Sequence, residues 1–267
     1  MTITGVQPKL SLDINRGGKL CPDKFTIVGL WGEYILKPQS EIYNSMPELE
    51  DLTMKMAEIA GIPTAKHSLI RMADGELSYI TRRMDRGHNG IKYSMLDMCQ
   101  LSNRLTEHKY RGSYAQLADT IKRYSSKSLM DVQDFWRIVV FSWITGNSDM
   151  HCKNFSLIDR KDGLGYVLSP AYDLLAVLLT GIDDTNEVAM TLSGPGVDDS
   201  DYIGGYDRSS FITVMTESGV SIRYANTIVD SLISCKDKWF EIIDISFLDE
   251  KMKLRYKNLI NERLERL

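Results

Sequence analysis

The chain has 267 residues, of which 43% are hydrophobic and 25% are charged. This composition is that of an ordinary globular protein, and it excludes a chain that is disordered throughout. The length allows one large domain or two lobes around a cleft. The net charge of −4 at pH 7 argues against a dedicated nucleic-acid-binding protein, which would carry a basic surplus. We therefore expect no direct nucleic-acid binding.

The four cysteines form no CxxC pair and have no zinc-site spacing, so free thiols in a reducing cytosol are the simplest interpretation. No apolar run approaches the roughly 20 residues that cross a bilayer. The first residues also lack the basic and apolar pattern of a signal peptide. The sequence therefore predicts a cytoplasmic protein without a membrane partner.

The N-terminal third is predicted to be rich in strands. Five runs have the composition and alternation of strands: Lys9–Ile14, Phe25–Val28, Glu33–Lys37, His67–Met72 and Leu77–Thr81. A helix is predicted to begin near Ser45, because Ser45 and Glu48 have the spacing of a capping box and Pro47 suits a first turn. Gly61 and Pro63 should end it.

From about residue 93 the pattern becomes helical. Four segments are typical of helices: Tyr114–Tyr124, Asp131–Ile144, Asp230–Ile245 and Asp249–Leu267. A short hairpin of Asn154–Ile158 and Tyr166–Leu168 interrupts them. The sequence thus predicts an α+β, two-lobed fold like that of protein kinases. Its small β-rich N-lobe spans residues 1–87 and its larger helical C-lobe spans residues 88–267, with a nucleotide cleft between them.

The strongest candidate for a catalytic segment is Thr145–Phe155, with the sequence TGNSDMHCKNF. Asp149 and Asn154 are five apart, the separation found in the catalytic loop H-R-D-x-x-x-x-N of protein kinases. In such a loop the carboxylate accepts a hydrogen bond from the attacking hydroxyl, and the amide oxygen binds Mg²⁺. The spacing therefore indicates phosphoryl transfer.

Two further residues fit this chemistry. Asp173, beyond the hairpin, could complete a Mg²⁺ site, because Mg²⁺ takes few protein oxygens and leaves its other positions to phosphate and water. Lys37, at the end of a strand, could neutralise phosphates. Taken alone, a lysine at a strand end is usually a solvated charge, and Gly-Asn-Ser-Asp is usually a turn. The combination in this order favours a kinase.

Three classes remain open on these residues: a protein kinase, a small-molecule phosphotransferase of similar architecture, and a nucleotide-binding pseudokinase that acts as an interaction module or antitoxin. The joint presence of Lys37, Asp149, Asn154 and Asp173 argues against the pseudokinase. A broader pattern lies in six segments: Thr2–Lys9, Tyr34–Pro38, Thr81–Arg86, Asp97–Gln100, Gly146–Phe155 and Ser169–Leu174. Together they resemble the HipA family of bacterial toxin kinases, and this resemblance favours a serine/threonine protein kinase.

The resemblance implies a role for each matching residue. Asp149 corresponds to the catalytic base, with His151 and Lys153 on the same loop and Lys153 near the γ-phosphate. Asn154 and Asp173 correspond to Mg²⁺ ligands, and Glu50 to the glutamate that pairs with the ATP lysine. The implied ATP-binding residues are Gly5, Val6, Gln7, Lys9, Lys37, Arg82, Met84 and Asp85. The implied cofactors are ATP and Mg²⁺.

The resemblance also implies regulation and partners. Family members autophosphorylate a serine just ahead of the phosphate loop, and the matching positions here are Thr2 and Thr4. Their substrates include aminoacyl-tRNA synthetases and other translation proteins, and a small antitoxin binds them. Full-length members carry an additional N-terminal subdomain. We expect that piece to be absent here or to be supplied by a separately encoded polypeptide.

Overall fold

A computed structural model describes residues 8–15, 24–29, 31–87, 91–181, 186–193 and 205–267. Among the helices of these residues, none combines the length and the apolar character that a membrane span needs. An antiparallel sheet occupies the N-terminal side and helices occupy the C-terminal side, as the sequence predicts. The division between residues 87 and 88 stays a prediction.

The N-terminal sheet has five strands in the order β2-β1-β3-β5-β4. Their bounds are β1 Leu10–Asn15, β2 Lys24–Ile27, β3 Tyr34–Lys37, β4 His67–Arg71 and β5 Leu77–Arg82. Alternate side chains point to opposite faces, so Leu36 packs with Leu12 and Ile80 in a small separate core. Lys37 lies opposite Tyr79 in the register, and both are buried. The alternation therefore directs Lys37 toward the interior between the lobes.

Helix α1, Met46–Ile59, packs on β4 and β5. The predicted capping box at its start is wrong. Ser45 has a left-handed backbone (φ 57°) and makes no side-chain cap, whereas a capping residue normally has an extended backbone. The Glu48 carboxylate instead accepts hydrogen bonds from Gln39 Nε2 at 3.0 and 2.8 Å. The helix still begins where expected, with Pro47 in its first turn.

The C-terminal side contains seven helices among the described residues: α2 Met98–Leu101, α3 Tyr114–Tyr124, α4 Ser128–Ile144, α5 Arg208–Glu217, α6 Ile222–Ile233, α7 Lys236–Asp244 and α8 Glu250–Glu265. The prediction of a single helix over Asp230–Ile245 is wrong, because α6 ends at Ile233 and α7 begins at Lys236. The break allows Trp239 to enter the core, where it donates a hydrogen bond to the Met56 carbonyl at 2.9 Å and packs edge-on against Phe141.

A second, three-stranded sheet lies beside these helices, in the order β6-β7-β8. Its strands are β6 Ser94–Asp97, β7 Ser156–Asp159 and β8 Val167–Leu168. The predicted hairpin is present as β7 and β8, but Asn154 belongs to a 3₁₀ turn and not to the strand. The expectation of helix from residue 93 missed β6, which satisfies its backbone groups on β7.

Two contacts hold distant parts of the chain together. The segment after α1 is joined to the loop before Asp173, since Ala171 N donates to Pro63 O at 2.8 Å and Ala65 N donates to Ala171 O at 2.9 Å. Near the C-terminus, the Glu187 carboxylate accepts from Trp143 Nε1 at 3.1 Å and from Arg266 Nη1 at 2.6 Å. Buried Arg263 lies 2.5 Å from it, so Glu187 fixes α8 to α4.

Candidate active site

The predicted catalytic loop follows the buried helix α4 directly. Gly146 has a positive φ of 74°, and a Cβ there would lie 2.5 Å from the Leu259 side chain, so glycine suits this turn. His151 N donates to Asp149 O at 2.8 Å, and Asn154 Nδ2 donates to the same carbonyl at 3.0 Å. The loop therefore closes on itself and holds Asp149 and Asn154 side by side.

Lys37, Glu50 and Asp173 meet at the base of the cleft. Lys37 Nζ lies 2.5 Å from Glu50 Oε1 and forms a second ion pair with Asp173. The side chains of Lys37 and Glu50 are 5% and 2% exposed, so water screens this pair little. A strand lysine paired with a helix glutamate is the arrangement that protein kinases need for activity.

Lys37 and Asp173 stabilise each other's charge. Burial alone would lower the pKa of Lys37, but the facing carboxylates of Asp173 and Glu50 outweigh it and raise the pKa above its ordinary value. Burial likewise favours the neutral form of Asp173, yet Lys37 and then Lys9 hold its pKa well below the usual range. Lys37 is therefore a cation and Asp173 an anion at neutral pH.

The cleft around this cluster has two compartments. The smaller has a volume of about 40 Å³ and is bordered by Lys9, Lys37, Glu50, Asn147, Asp149, Asn154 and Asp173, with Met46, Leu175 and Val177. The larger has a volume of about 420 Å³, and Ile35, Ala65, Tyr79 and Met84 contribute to its apolar surface. Lys9, Lys37 and Asp173 border both compartments. A planar apolar group thus fits beside a strongly polar end.

Three of the residues predicted to bind ATP lie on the larger compartment. Arg82, Met84 and Asp85 border it. Arg82 Nη2 is 3.7 Å from Glu33 Oε2, and Asp85 accepts from Arg83 Nε at 3.0 Å. Lys9 Nζ lies 3.7 Å from Asp173 Oδ2. Gly5, Val6, Gln7, Thr2 and Thr4 lie outside the described residues, so their roles stay predictions.

Lys153 is placed differently from the other loop residues. Its Nζ lies 3.4 Å from Asp97 Oδ2 and donates to Thr106 Oγ1 at 3.5 Å. It borders the larger compartment, as Lys9, Lys37 and Asp173 do, whereas Asp149 borders the smaller one. A contact between Lys153 and the γ-phosphate stays a prediction.

Around Asp149 the structure adds residues that the sequence did not single out. The Tyr110 hydroxyl donates to Asp149 Oδ1 at 2.5 Å, and Lys109 Nζ lies 2.7 Å from His151 Nε2. His151 Nε2 is 3.9 Å from Asp149 Oδ1. Burial, followed by the neighbouring charge of Lys109, lowers the pKa of His151 to about 3. His151 is thus neutral at neutral pH.

The donor set fits Mg²⁺ bound together with phosphates. Asn154 and Asp173 border the same small compartment and offer the hard oxygens that Mg²⁺ prefers. Because the Asn154 amide nitrogen is used by the Asp149 carbonyl, its amide oxygen is the atom left for a cation. No cluster of three or more His, Cys, Asp or Glu residues suited to a metal occurs in the described part of the chain, so phosphate and water would complete the coordination.

A small sheet lobe, a helical lobe and a buried lysine held by two carboxylates define a protein-kinase-like architecture. The chain belongs to the family of HipA-like C-terminal domains, whose model matches residues 1–239. This confirms the resemblance found in the sequence.

Relatives and solved structures agree with this assignment. The protein named "Putative kinase Y4dM" of Sinorhizobium fredii is 33% identical over 194 residues, which are 66% of this chain and 45% of the relative. The serine/threonine-protein kinase toxin HipA of Shewanella oneidensis is 26% identical over 195 residues, which are 66% of this chain and 43% of HipA. The chain thus matches about half the length of these curated relatives.

The fold matches two solved structures. One is the Shewanella oneidensis complex of HipA, HipB and operator DNA, with a TM-score of 0.79 and 22% identity, covering 100% of this chain and 65% of that chain. The other is the proinflammatory kinase CtkA of Helicobacter pylori, with a TM-score of 0.63 and 15% identity, covering 96% and 93%. At these identities the structures show the fold alone, and they confirm the two-lobed kinase-like architecture.

Proposed function

We propose that this protein is an ATP- and Mg²⁺-dependent serine/threonine protein kinase of the HipA type. One observation carries the proposal: Glu50 and Asp173 both pair with buried Lys37, and all three border the same small compartment as Asp149 and Asn154. These are the groups that phosphoryl transfer requires, in positions that a single phosphate chain can reach. The relatives named as kinases support the same class.

Different residues of the site would bind the nucleotide, hold Mg²⁺ and activate the acceptor hydroxyl. The larger compartment would hold the adenine against Met84 and Tyr79, while Lys37 and Lys9 would neutralise the phosphates at its polar end. Asn154 and Asp173 would hold Mg²⁺, which neutralises charge on the phosphate oxygens when it is bound. Asp149 would accept the proton of the acceptor hydroxyl and orient it toward the γ-phosphate.

Transfer of ³²P from [γ-³²P]ATP with Mg²⁺ tests the proposal, using the protein itself and casein as acceptors. Asp149→Asn should lower transfer by about 10²- to 10⁴-fold, the usual range for losing a general base. Asp237→Asn is the matched control, because Asp237 lies exposed on α7. Acid hydrolysis of the labelled product should give phosphoserine or phosphothreonine.

The results also separate the alternatives. Binding of Mg-ATP without transfer would overturn the kinase proposal and indicate a pseudokinase. Transfer only to small hydroxyl compounds, such as aminoglycosides, would indicate a small-molecule phosphotransferase. Full activity in Asp149→Asn would refute the assigned base.

We propose further that the protein autophosphorylates Thr2 or Thr4 and that this lowers its affinity for ATP. A phosphate adds about −1.5 to −2 charges at pH 7, and beside a site for ATP phosphates this charge repels the nucleotide. Mass spectrometry of the N-terminal peptide after incubation with Mg-ATP tests the site. Phosphate found only elsewhere, or a Thr2→Ala, Thr4→Ala variant that is still inhibited by preincubation, would refute this switch.

A translation protein as substrate and a HipB-like antitoxin as partner complete the proposal. The solved HipA structure contains HipB, which supports a partner of that kind. Co-expression with a small helix-turn-helix protein encoded by a neighbouring gene, followed by co-purification, tests the partner. Recovery of the kinase alone from such a co-expression would count against it.

A further inference from the structure

The segment Lys109–Tyr114 lies against the catalytic loop and is tied to it at several points. Lys109 O accepts from Cys152 N at 3.1 Å. The Tyr114 hydroxyl donates to Met150 O at 2.9 Å. Arg111 O accepts from Arg104 Nη1 at 2.5 Å, and the same arginine reaches Cys152 Sγ at 3.4 Å. This segment therefore has a fixed position relative to Asp149.

Tyr110 uses that fixed position to hold the carboxylate of Asp149. Its hydroxyl donates to Oδ1 at 2.5 Å, and a hydrogen bond to a carboxylate is stronger than one between neutral groups. The ring is itself held, because it packs edge-on against His151 with centroids 5.0 Å apart and Lys109 Nζ lies 4.7 Å from its centroid. The tyrosine end of the Asp149–Tyr110 contact is thus supported by two buried residues.

We propose that Tyr110 is a positioning residue for the catalytic base: it fixes Asp149 Oδ1 so that Oδ2 is presented to the acceptor hydroxyl. The proposal rests on the kinase activity proposed above. Tyr110 acts through Asp149 and not on the nucleotide, since it is not among the described residues that border either compartment of the cleft. Such orientation matters because phosphoryl transfer depends on alignment of the attacking oxygen.

The geometry favours positioning over a competing interpretation. A tyrosine hydroxyl on the base could instead occupy the place of the acceptor and block it. A blocking group must leave when substrate binds, whereas Tyr110 sits between Lys109 and Arg111, whose carbonyls are both engaged. The two interpretations predict opposite changes in kcat when the hydroxyl is removed, so one variant separates them.

The variant is Tyr110→Phe, which removes the hydroxyl and keeps the ring contacts with His151 and Lys109. We expect kcat for ³²P transfer to casein to fall on the order of tenfold, less than the 10²- to 10⁴-fold expected for loss of the base itself. The KM for ATP should stay within about twofold. A change in KM alone would mean altered binding of the nucleotide, and the substitution is not expected to affect that binding. Tyr124→Phe is the matched control, since Tyr124 lies exposed on α3.

A double-mutant cycle with Asp149→Ala, which removes the oxygen that accepts from Tyr110, shows whether the effect passes through Asp149. In that background Tyr110→Phe should change residual transfer by less than about twofold, and the Tm losses of the two substitutions should be less than additive. An increase in kcat on Tyr110→Phe would overturn positioning in favour of blocking, and an unchanged kcat would overturn it outright. If wild type transfers no phosphate, the proposed function fails, and additive Tm losses would then show separately that the Tyr110–Asp149 contact itself is not formed.

Discussion

Replacing Lys37 with methionine removes the ammonium group and keeps most of the side-chain volume. Lys37 Nζ is the group that pairs with both Glu50 and Asp173, so the substitution leaves two neighbouring carboxylates without this cation. Removing one partner of a buried pair typically costs about 3–5 kcal/mol. The side chain of Asp173 is 34% exposed and can be hydrated, whereas that of Glu50 is 2% exposed. We therefore expect Lys37→Met to lower the free energy of unfolding by about 3 kcal/mol at neutral pH, the lower end of that range.

The loss should depend on pH in a defined direction. Burial raises the pKa of Glu50, and without Lys37 the pKa should rise further, so the variant can neutralise Glu50 by binding a proton. A raised carboxyl pKa stabilises the folded state at low pH, and this stabilisation is lost as the pH rises through the folded-state pKa. In the wild type, the lowered pKa of Asp173 and the raised pKa of Lys37 keep their pair charged near neutrality. The difference in the free energy of unfolding between wild type and Lys37→Met should therefore become smaller toward acid pH.

Urea unfolding of wild type and Lys37→Met at about pH 5 and pH 8 measures this gap. Lys66→Met is the control, because Lys66 is exposed in the same lobe. Mg-ATP at 100 times its Kd should stabilise the wild type by about 2.7 kcal/mol and stabilise the variant less. A variant as stable as the wild type at both pH values, or with the same stabilisation by Mg-ATP, would refute the role of Lys37.

Three other substitutions test separate features. The pKa of His151 is lowered to about 3 from an ordinary 6.5. Between about pH 6.5 and pH 3 the unfolded chain therefore binds a proton at this group that the folded chain does not, and the free energy of unfolding falls by roughly 1.4 kcal/mol per pH unit. Urea midpoints of His151→Asn should fall less steeply with acid than those of wild type. Glu187→Gln removes the charge beside buried Arg263 and should lower stability by about 3 kcal/mol, which thermal melting would reveal. Gly146→Ala should cost about 1–2 kcal/mol because of its positive φ and the approach to Leu259, and an unchanged Tm would contradict that account.

The sequence predicted the part of the site that depends on local spacing. Asp149 and Asn154 are five residues apart within one loop, so their proximity is almost a local property of the chain. Lys37 and Asp173 are 136 residues apart, and their meeting was inferred from the order of elements and from family resemblance. Glu50 was matched in the same way, and the structure places it on Lys37.

The sequence did not predict contacts that arise only when distant segments pack. Tyr110 lies 39 residues before Asp149, in a segment whose composition resembles any polar turn. Lys153 belongs to the predicted catalytic loop, yet its ammonium pairs with Asp97, which lies outside that loop in β6. The capping box at Ser45 failed for a similar reason, since Gln39 competes for Glu48. Short-range patterns thus indicate which groups are available, and tertiary packing decides which partner each one takes.

The backbone contact between Ala171 and the segment Pro63–Ala65 also bears on how the cleft opens. It joins the two lobes at one end of the cleft, only two residues before Asp173. Rotation of the sheet about this contact would displace Asp173 least. It would displace strands β2 and β1 most, because they lie toward the opposite edge of the sheet from β4. If the protein has the proposed function, the groups around Asp173 would then keep nearly the same geometry while the nucleotide enters and leaves.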